Sequence, residues 1–565
     1  MPAAGCSPDT VSYNTVVSAC AEDGGDWQTA QSLIDAMRAA GLSPDVVTLS
    51  AYMAACTNGG AWGRALRAFE EGSAEWRVTP NVFAHNAAIA ACVKARPADL
   101  GRALGVLDVM RARGIAPDVV SYSTVISCCE KLGDWKTALL LMERMAEDGV
   151  QPNTICYNTC ISACEREGKW KEALRLLKRM MRSRVRPDII TFNAAMNVAA
   201  KAKQYKLALS LFGRMQMYGI TPDIISYNCI ITACRHGPGG QRAREMFNEL
   251  ISNGIKPDII SFNALLNSYE IDGDWQSALE VLYAMPSSGV TPDHVSYTSC
   301  IGACRRDGQW RRALTLLDEM RAQNLRPTVT TYTSLISLFQ KSSKWREALA
   351  ILDLMRAENL LPNIVSYNAA ISACHRASQP DAALALLDEA VAANLVPNTK
   401  TFSAAISACA RTGRHDDAAA TFSRMLDANV PPDTIAYNAL ILGAPNYAAA
   451  RATLGEMRDH GVCPDLVTYN SLLAVARRSG MKWPTAAAIL DEIAAAGLRA
   501  DAVTFTSAAQ AATGSYEVGV ALMALERRMR ESDVVQDLKL RNVMEELRRE
   551  ARAEARRAEE EAVRR

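Results

Sequence analysis

The sequence predicts an all-α fold, a solenoid of antiparallel helix pairs built from about 15 repeats of about 35 residues. Three observations carry this. The phrase Pro-Asp-(Ile/Val)-(Ile/Val)-(Ser/Thr)-(Tyr/Phe)-Asn returns at a fixed step, beginning at Pro187, Pro222 and Pro257, 35 residues apart each time. Between phrases, apolar residues fall at helical spacing in two blocks. Gly or Asn, with Pro three residues later, closes most repeats. A chain of 565 residues would otherwise suggest several globular domains, and one repeat array replaces them with a single elongated one.

With the residue after each Pro-Asp as position 1, repeats begin at 10, 46, 82, 119, 154, 189, 224, 259, 294, 329, 364, 399, 434, 466 and 502. Residues 1–9 read as a partial repeat tail, because Gly5-Cys6-Ser7-Pro8-Asp9 already closes a repeat; no targeting peptide is visible before it. Fourteen repeats are expected over 10–501, a degenerate one over 502–536, and a mixed-charge helical tail over 537–565 that caps the array in solvent.

Each repeat reads the same way. In residues 119–153 a first helix runs from Val119 to Cys129, Gly133-Asp134 interrupts, and a second runs from Trp135 to Met145. Position 31 is Gly149, Gly219, Gly254, Gly289, Asn324, Asn359, Asn394 or Asn429, residues that accept the left-handed conformation ending a helix; Arg184 departs. The following Pro prevents continuation, and the Asp or Asn after it is placed to cap the next helix.

Three columns read as core. Cys20, Cys56, Cys92, Cys129, Cys164, Cys234, Cys304, Cys374 and Cys409 share position 11, and with no Cys-Xaa-Xaa-Cys pair they read as small, reduced packing residues rather than metal ligands. Trp62, Trp135, Trp170, Trp275, Trp310 and Trp345 share position 17, and Met145, Met180, Met215, Met285, Met320, Met355 and Met425 share position 27. Lys plus Arg number 62 against 61 for Asp plus Glu, so a net charge of +1 supplies no global field for polyanions or membranes. No apolar run reaches the roughly 18 residues of a membrane span.

A 34-residue helix pair would suggest the tetratricopeptide family, which binds protein segments. Here (Val/Ile)-(Ser/Thr)-Tyr-Asn opens the first helix, Trp-Xaa-Xaa-Ala-Leu the second (Trp135 to Leu139, Trp275 to Leu279), and Gly-Xaa-Xaa-Pro-Asp closes a 35-residue unit. Over residues 5 to about 536 the chain resembles the pentatricopeptide repeat family, of the type without a recognisable editing or nuclease domain. The resemblance implies a right-handed superhelix that binds single-stranded RNA, one base per repeat. It further implies base selection by positions 5 and 35, with an aliphatic at position 2 sandwiching the base. Position 2 is Val11, Val47, Val120, Ile155, Ile190, Ile225, Ile260, Val295, Val365, Ile435, Val467 or Val503, with Phe83 once; Thr330 and Lys400 depart.

The chemistry of selection can be stated. Asn at position 5 offers donor and acceptor together and reaches a pyrimidine edge, whereas Ser or Thr leaves room for a purine. An acidic position 35 suits U or G, which present a ring N–H; Asn suits the amino bases. Asn14 with Asp45 then selects U, Ser50 with Asn81 A, Asn86 with Asp118 U, and Ser123 with Asn153 A. Asn158, Asn193, Asn228 and Asn263, with Asp188, Asp223, Asp258 and Asp293, select four uridines. Thr298 with Thr328 is left open, Thr333 with Asn363 suggests A, Asn368 with Asn398 a pyrimidine, and Ser403 with Asp433 G. Asn438 with Asp465 and Asn470 with Asp501 give U; with the N-terminus set against the RNA 5′ end, as the resemblance implies, the expected AU-rich target is 5′-UAUAUUUUNAYGUU-3′. Thr506 hints at a further purine.

Phosphate contacts are expected from position 13, where Lys94, Lys131, Arg166, Lys201, Arg306, Lys341, Arg376, Arg411 and Arg478 form a basic column, joined by His236. Catalysis finds no motif: the six histidines are scattered, and no His-Xaa-Glu precedes a Cys-Xaa-Xaa-Cys. A non-enzymatic protein acting by occupancy is expected, with no cofactor or metal, possible protein partners in RNA processing, and no membrane. Residence in a mitochondrion or chloroplast is implied by the family alone. A protein-binding scaffold, or an RNA-processing enzyme whose catalytic part lies upstream of Met1, are the rival classes. A scaffold would not be expected to confine position 5 to Asn, Ser and Thr.

Overall fold

The structure is a computed structural model that describes residues 8–22, 24–72, 76, 78–237, 239–512, 518–531 and 538–564. The expected repeat tail at 1–9 lies outside these except for residues 8 and 9, as do 513–517 and 532–537 near the other end. Among the described residues there are helices and turns and no strand.

The chain divides into two compact bodies, Met1–Asp272 with Tyr283–Thr291, and Gly273–Leu282 with Pro292–Arg565. In the first body the first helices, among them Val119–Leu132, Thr154–Ala163, Ile189–Lys201 and Ile224–Cys234, pack side by side in chain order. Each second helix, such as Trp135–Glu147 or Trp170–Arg182, lies against its own first helix and the next one. The second body repeats this from His294–Ala303 through Val329–Lys341 and Ile364–Arg376 to Ala502–Ala512. Within each body, first helices therefore share one layer and second helices another, and each repeat buries its apolar face only against neighbours.

The buried face is the one the period marks. Tyr122, Tyr157, Phe192 and Tyr227 at position 4 and Met145, Met180 and Met215 at position 27 are all fully or almost fully buried. Each such side chain contributes roughly 1.5–3 kcal/mol of burial. In the cysteine column Cys56, Cys92, Cys129, Cys164 and Cys234 are buried free thiols, and burial pushes Cys129 and Cys164 up to about 12.

Two expectations are corrected. The position-17 tryptophans are only half-buried. What faces Trp135 is a polar loop of the next repeat: its indole N–H donates to Glu167 at 2.8 Å and the Lys169 ammonium stands 5.5 Å from the ring centroid. Trp310 likewise lies under Lys344 at 4.7 Å. An indole needs a partner for its N–H and offers its face to a cation, so this column seals the seams between repeats rather than filling the core. The tail helix Leu538–Arg564 is not wholly solvated. Leu540, Met544 and Leu547, spaced along one helical face, are buried where this helix packs on Ala502–Ala512 and Val518–Glu531.

Second helices end as the punctuation requires. At Gly149 φ is 73°, with the Gly149 N–H on the Ala146 carbonyl at 3.1 Å and the Val150 N–H on the Met145 carbonyl at 3.0 Å. Arg184 makes the same two bonds at 3.2 and 3.1 Å and adopts the same left-handed backbone, with φ of 57°. A side chain at that φ is strained. Arg184→Gly is expected to raise the urea denaturation midpoint, by about 1 kcal/mol of stability; an unchanged or lower midpoint would contradict this.

Candidate nucleic-acid interface

Positions 5 and 35 meet at the seams between repeats. The Asn14 amide donates to Asp45 Oδ1 at 3.0 Å, Asn86 to Asp118 at 3.2 Å, Asn158 to Asp188 at 3.1 Å, Asn193 to Asp223 at 3.1 Å, Asn228 to Asp258 at 3.2 Å and Asn438 to Asp465 at 3.2 Å. The accepting oxygen is the helix cap: Asp45 Oδ1 also accepts the Thr48 N–H at 2.9 Å, and Asp188 Oδ1 the Thr191 N–H at 2.8 Å. Because a carboxylate only accepts, the Asn atom beside it must be the NH2 group, which settles the orientation of the carboxamide.

The remaining atom of the position-35 side chain is the one the cap leaves over. In Asp it is Oδ2, an acceptor matched to a ring N–H. In Asn81, Asn153, Asn363 and Asn398 the oxygen is used as the cap, at 3.0 to 3.1 Å from the N–H groups of Ala84, Cys156, Ser366 and Thr401, so the remaining group is an NH2 donor. One local rule, the cap taking the oxygen, therefore turns Asp versus Asn into acceptor versus donor.

The other pairs vary. Asn368 donates to Asn398 Oδ1 at 3.3 Å, and the Ser403 hydroxyl donates to Asp433 at 2.8 Å. Ser50 and Ser123 turn back to their own helices, donating to the Val46 carbonyl at 2.8 Å and the Val120 carbonyl at 3.1 Å. Thr298 and Thr333 donate to the His294 and Val329 carbonyls, and Thr328 caps Thr331 at 3.4 Å. The Thr506 hydroxyl is likewise spent, on the Ala502 carbonyl at 2.6 Å. The Asn470 Oδ1 is buried without a partner, and Asp501 caps Thr504 at 2.8 Å. Asn263 stands on Ile259–Asp272 in the first body, while Asp293 caps His294–Ala303 in the second.

The aliphatic column is exposed. Ile190, Ile225 and Ile260 are 59, 55 and 60 % accessible, whereas the position-5 residues beside them, Asn193 and Asn228, are buried. Val120 and Ile155 are exposed in the same way and Val295 less so, at 39 %. At the first seam Val11, Asn14, Asp45 and Val47 line a single cleft: two aliphatic walls and a polar floor. A flat, apolar-faced ligand with a polar edge fits that chemistry.

The basic column has another use. Arg166 donates to the Leu132 carbonyl at 2.8 Å and Lys131 to the Val93 carbonyl at 3.1 Å, each at the C-terminal end of the preceding first helix, and Arg478 donates to the Leu442 and Ala444 carbonyls at 3.0 and 2.5 Å. Cations are favourable there against the helix dipole. Lys94 bonds Asn58 at 2.8 Å and Lys201 pairs with Glu165 at 2.6 Å. The Arg306 chain packs against Gly273. Lys341, Arg376 and Arg411 are exposed and make no such bond among the described residues. Sequence reasoning also missed a hydroxyl, at position 3 of the following repeat, that joins the Asn–Asp pairs of Asn14, Asn86, Asn158, Asn193 and Asn228, as Thr191 joins Asn158 at 2.6 Å.

Profiles described as a pentatricopeptide repeat domain match residues 32–95, 77–132, 105–167, 140–202, 175–236, 315–376 and 442–477, and profiles of the PPR repeat family match 4–58, 257–306, 362–411 and 397–446. A PPR repeat profile covers 295–325. The chain belongs to the pentatricopeptide repeat family. This pentatricopeptide repeat chain is similar to the crystal structure of the pentatricopeptide repeat protein PPR10 from maize, at 25% identity and a TM-score of 0.59 over 87% of this chain and 80% of that one. The structure of PPR10 in complex with an 18-nt psaJ RNA element aligns with it at 22% identity and a TM-score of 0.55, over 95% and 82% of the two chains. No curated protein matches the chain.

Burial raises the carboxyls of Asp45, Asp118, Asp188 and Asp465, but hydrogen bonds from the following Thr or Ser and from the position-5 Asn outweigh it and hold them below the ordinary range. Since their folded values lie below the unfolded value of about 3.9, they add stability above that pH and lose it as pH falls through the folded values. Asp188→Asn keeps a capping oxygen and removes the titration. The wild type is expected to be the more stable at pH 7, with the gap closing below about pH 4; a gap in urea midpoints that stays constant with pH would contradict this.

Proposed function

We propose that this protein binds a defined, AU-rich single-stranded RNA segment, one base per repeat, and acts by occupancy. The observation that carries it is the seam itself: a polar pair with a fixed donor and acceptor, floored between exposed aliphatic side chains, as at Val11, Asn14, Asp45 and Val47. That is the chemistry of a slot for one unpaired base, apolar on the faces and polar on the edge. The maize relative's RNA complex supports the same reading.

The order of pairs gives 5′-UAUAUUUUNAYGUU-3′ as the proposed target. Lys341, Arg376 and Arg411, exposed and unbonded, are the members of the basic column best placed to serve phosphate; the others would have to exchange an existing bond. Occupancy would block exonucleases, hold a site unpaired, or bring a processing partner to it, in the mitochondrion or chloroplast that the family implies.

Asn193→Ser combined with Asp223→Asn tests this. In equilibrium binding to RNAs differing only at the sixth base, the preference should change from U to A by about tenfold, the value of one good base-edge pairing. An unchanged preference for U would contradict base reading at this seam.

A further inference from the structure

We propose that the hydroxyl at position 3 of each repeat is a positioning residue that sets which edge the position-5 side chain of the preceding repeat shows to RNA; this rests on the base-reading function proposed above. Thr48, Ser121, Thr191, Ser226, Ser261 and Thr401 place their hydroxyls 2.5, 2.6, 2.6, 2.7, 2.6 and 2.5 Å from Oδ1 of Asn14, Asn86, Asn158, Asn193, Asn228 and Asn368. The same six hydroxyls stand farther from the capping oxygen, at 2.9, 2.9, 2.7, 2.8, 2.8 and 3.1 Å. A hydroxyl has one hydrogen, and since the Asn oxygen can only accept, a contact this short places that hydrogen toward it or shares it with the cap oxygen.

A carboxamide can rotate half a turn and exchange donor for acceptor at the same place. Here both ends are held. The cap oxygen takes the NH2, and the position-3 hydroxyl takes the oxygen. Without the hydroxyl, Oδ1 is a buried acceptor with no partner, and no bond on that side opposes rotation of the carboxamide. The edge offered to a base would then no longer be single-valued.

The sequence of the array carries the same coupling. Asn14, Asn86, Asn158, Asn193, Asn228, Asn263, Asn368, Asn438 and Asn470 are followed, at position 3 of the next repeat, by Thr48, Ser121, Thr191, Ser226, Ser261, Ser296, Thr401, Thr468 and Thr504. Ser50, Ser123 and Ser403 are followed by Ala84, Cys156 and Ala436. Hydroxyl goes with Asn and its absence with Ser, with no exception. A residue that served only its own helix cap would have no reason to track a side chain one repeat earlier. Thr298 and Thr333 fit as well: each spends its hydrogen on its own helix, so Thr331 and Ser366 must donate to them, both at 2.7 Å.

At Asn438 and Asn470 the residue pattern holds but Oδ1 has no partner, the hydroxyls of Thr468 and Thr504 lying 2.8 Å from Asp465 and Asp501 instead. The test therefore belongs in the earlier repeats.

Full-length protein carrying Ser261→Ala or Ser261→Thr would be titrated against the proposed target with U, C, A or G at the seventh base. The wild type and Ser261→Thr should prefer U by about tenfold, and Ser261→Ala should fall within about twofold while the fifth base keeps its discrimination. Loss of thermal stability or overall affinity with seventh-base discrimination intact would overturn the proposal and leave Ser261 a capping residue. The reverse arm uses Ser50→Asn with Asn81→Asp, with and without Ala84→Thr. Full conversion of the second base from A to U should need Ala84→Thr, and equal conversion without it would overturn the role. A wild type that discriminates at no base would instead sink the base-reading function itself, and this role with it.

Discussion

At Asn–Asp seams such as Asn158–Asp188, a single oxygen belongs to two structures at once. Asp188 Oδ1 accepts the Thr191 N–H at 2.8 Å, which starts one helix, and the Asn158 amide at 3.1 Å, which ends on another. On the proposed function, capping and base selection are then not separable. The cap fixes the side chain in the one orientation that helix geometry permits, and the atom left over inherits that rigidity. Preorganisation of this kind reduces the ordering cost of binding, and it suits a residue at a helix terminus, rather than one on a mobile loop, to the base selection proposed for it.

Most of the fold was legible because its determinants repeat. Pro, Gly or Asn, and the Tyr and Met columns recur at one angular position, and burial follows from the period alone, as Tyr122, Tyr157 and Met145 illustrate. The Asp and Asn caps were legible for the same reason. Position 31 was legible even where its residue misled: Arg184 breaks the composition and keeps the conformation, because the two Schellman-type bonds are set by the backbone.

What was not legible lies across seams and at the ends of long side chains. Arg166 and Lys131 read as phosphate ligands from their column, but a flexible stem reaches the preceding helix's terminal carbonyls, and nothing in a linear pattern says where a guanidinium will stop. Trp135 has core composition, yet its position at the head of a helix leaves a polar loop as its cover. Ser and Thr at position 3 belong to the recurring phrase, and the phrase alone assigns them no partner. Their link to position 5 shows only when two repeats are set side by side, as with Ser226 and Asn193 at 2.7 Å.

With a net charge of +1, affinity cannot come from a global field, so it must be assembled locally from slots such as that of Val11, Asn14, Asp45 and Val47. The direct test of a row of such slots is selection of bound sequences from a random RNA pool by the full-length protein. The account predicts enrichment of an AU-rich string following 5′-UAUAUUUUNAYGUU-3′, most sharply the run of uridines read by Asn158 to Asn228. Enrichment of an unrelated sequence, or recovery of no sequence at all, would contradict it.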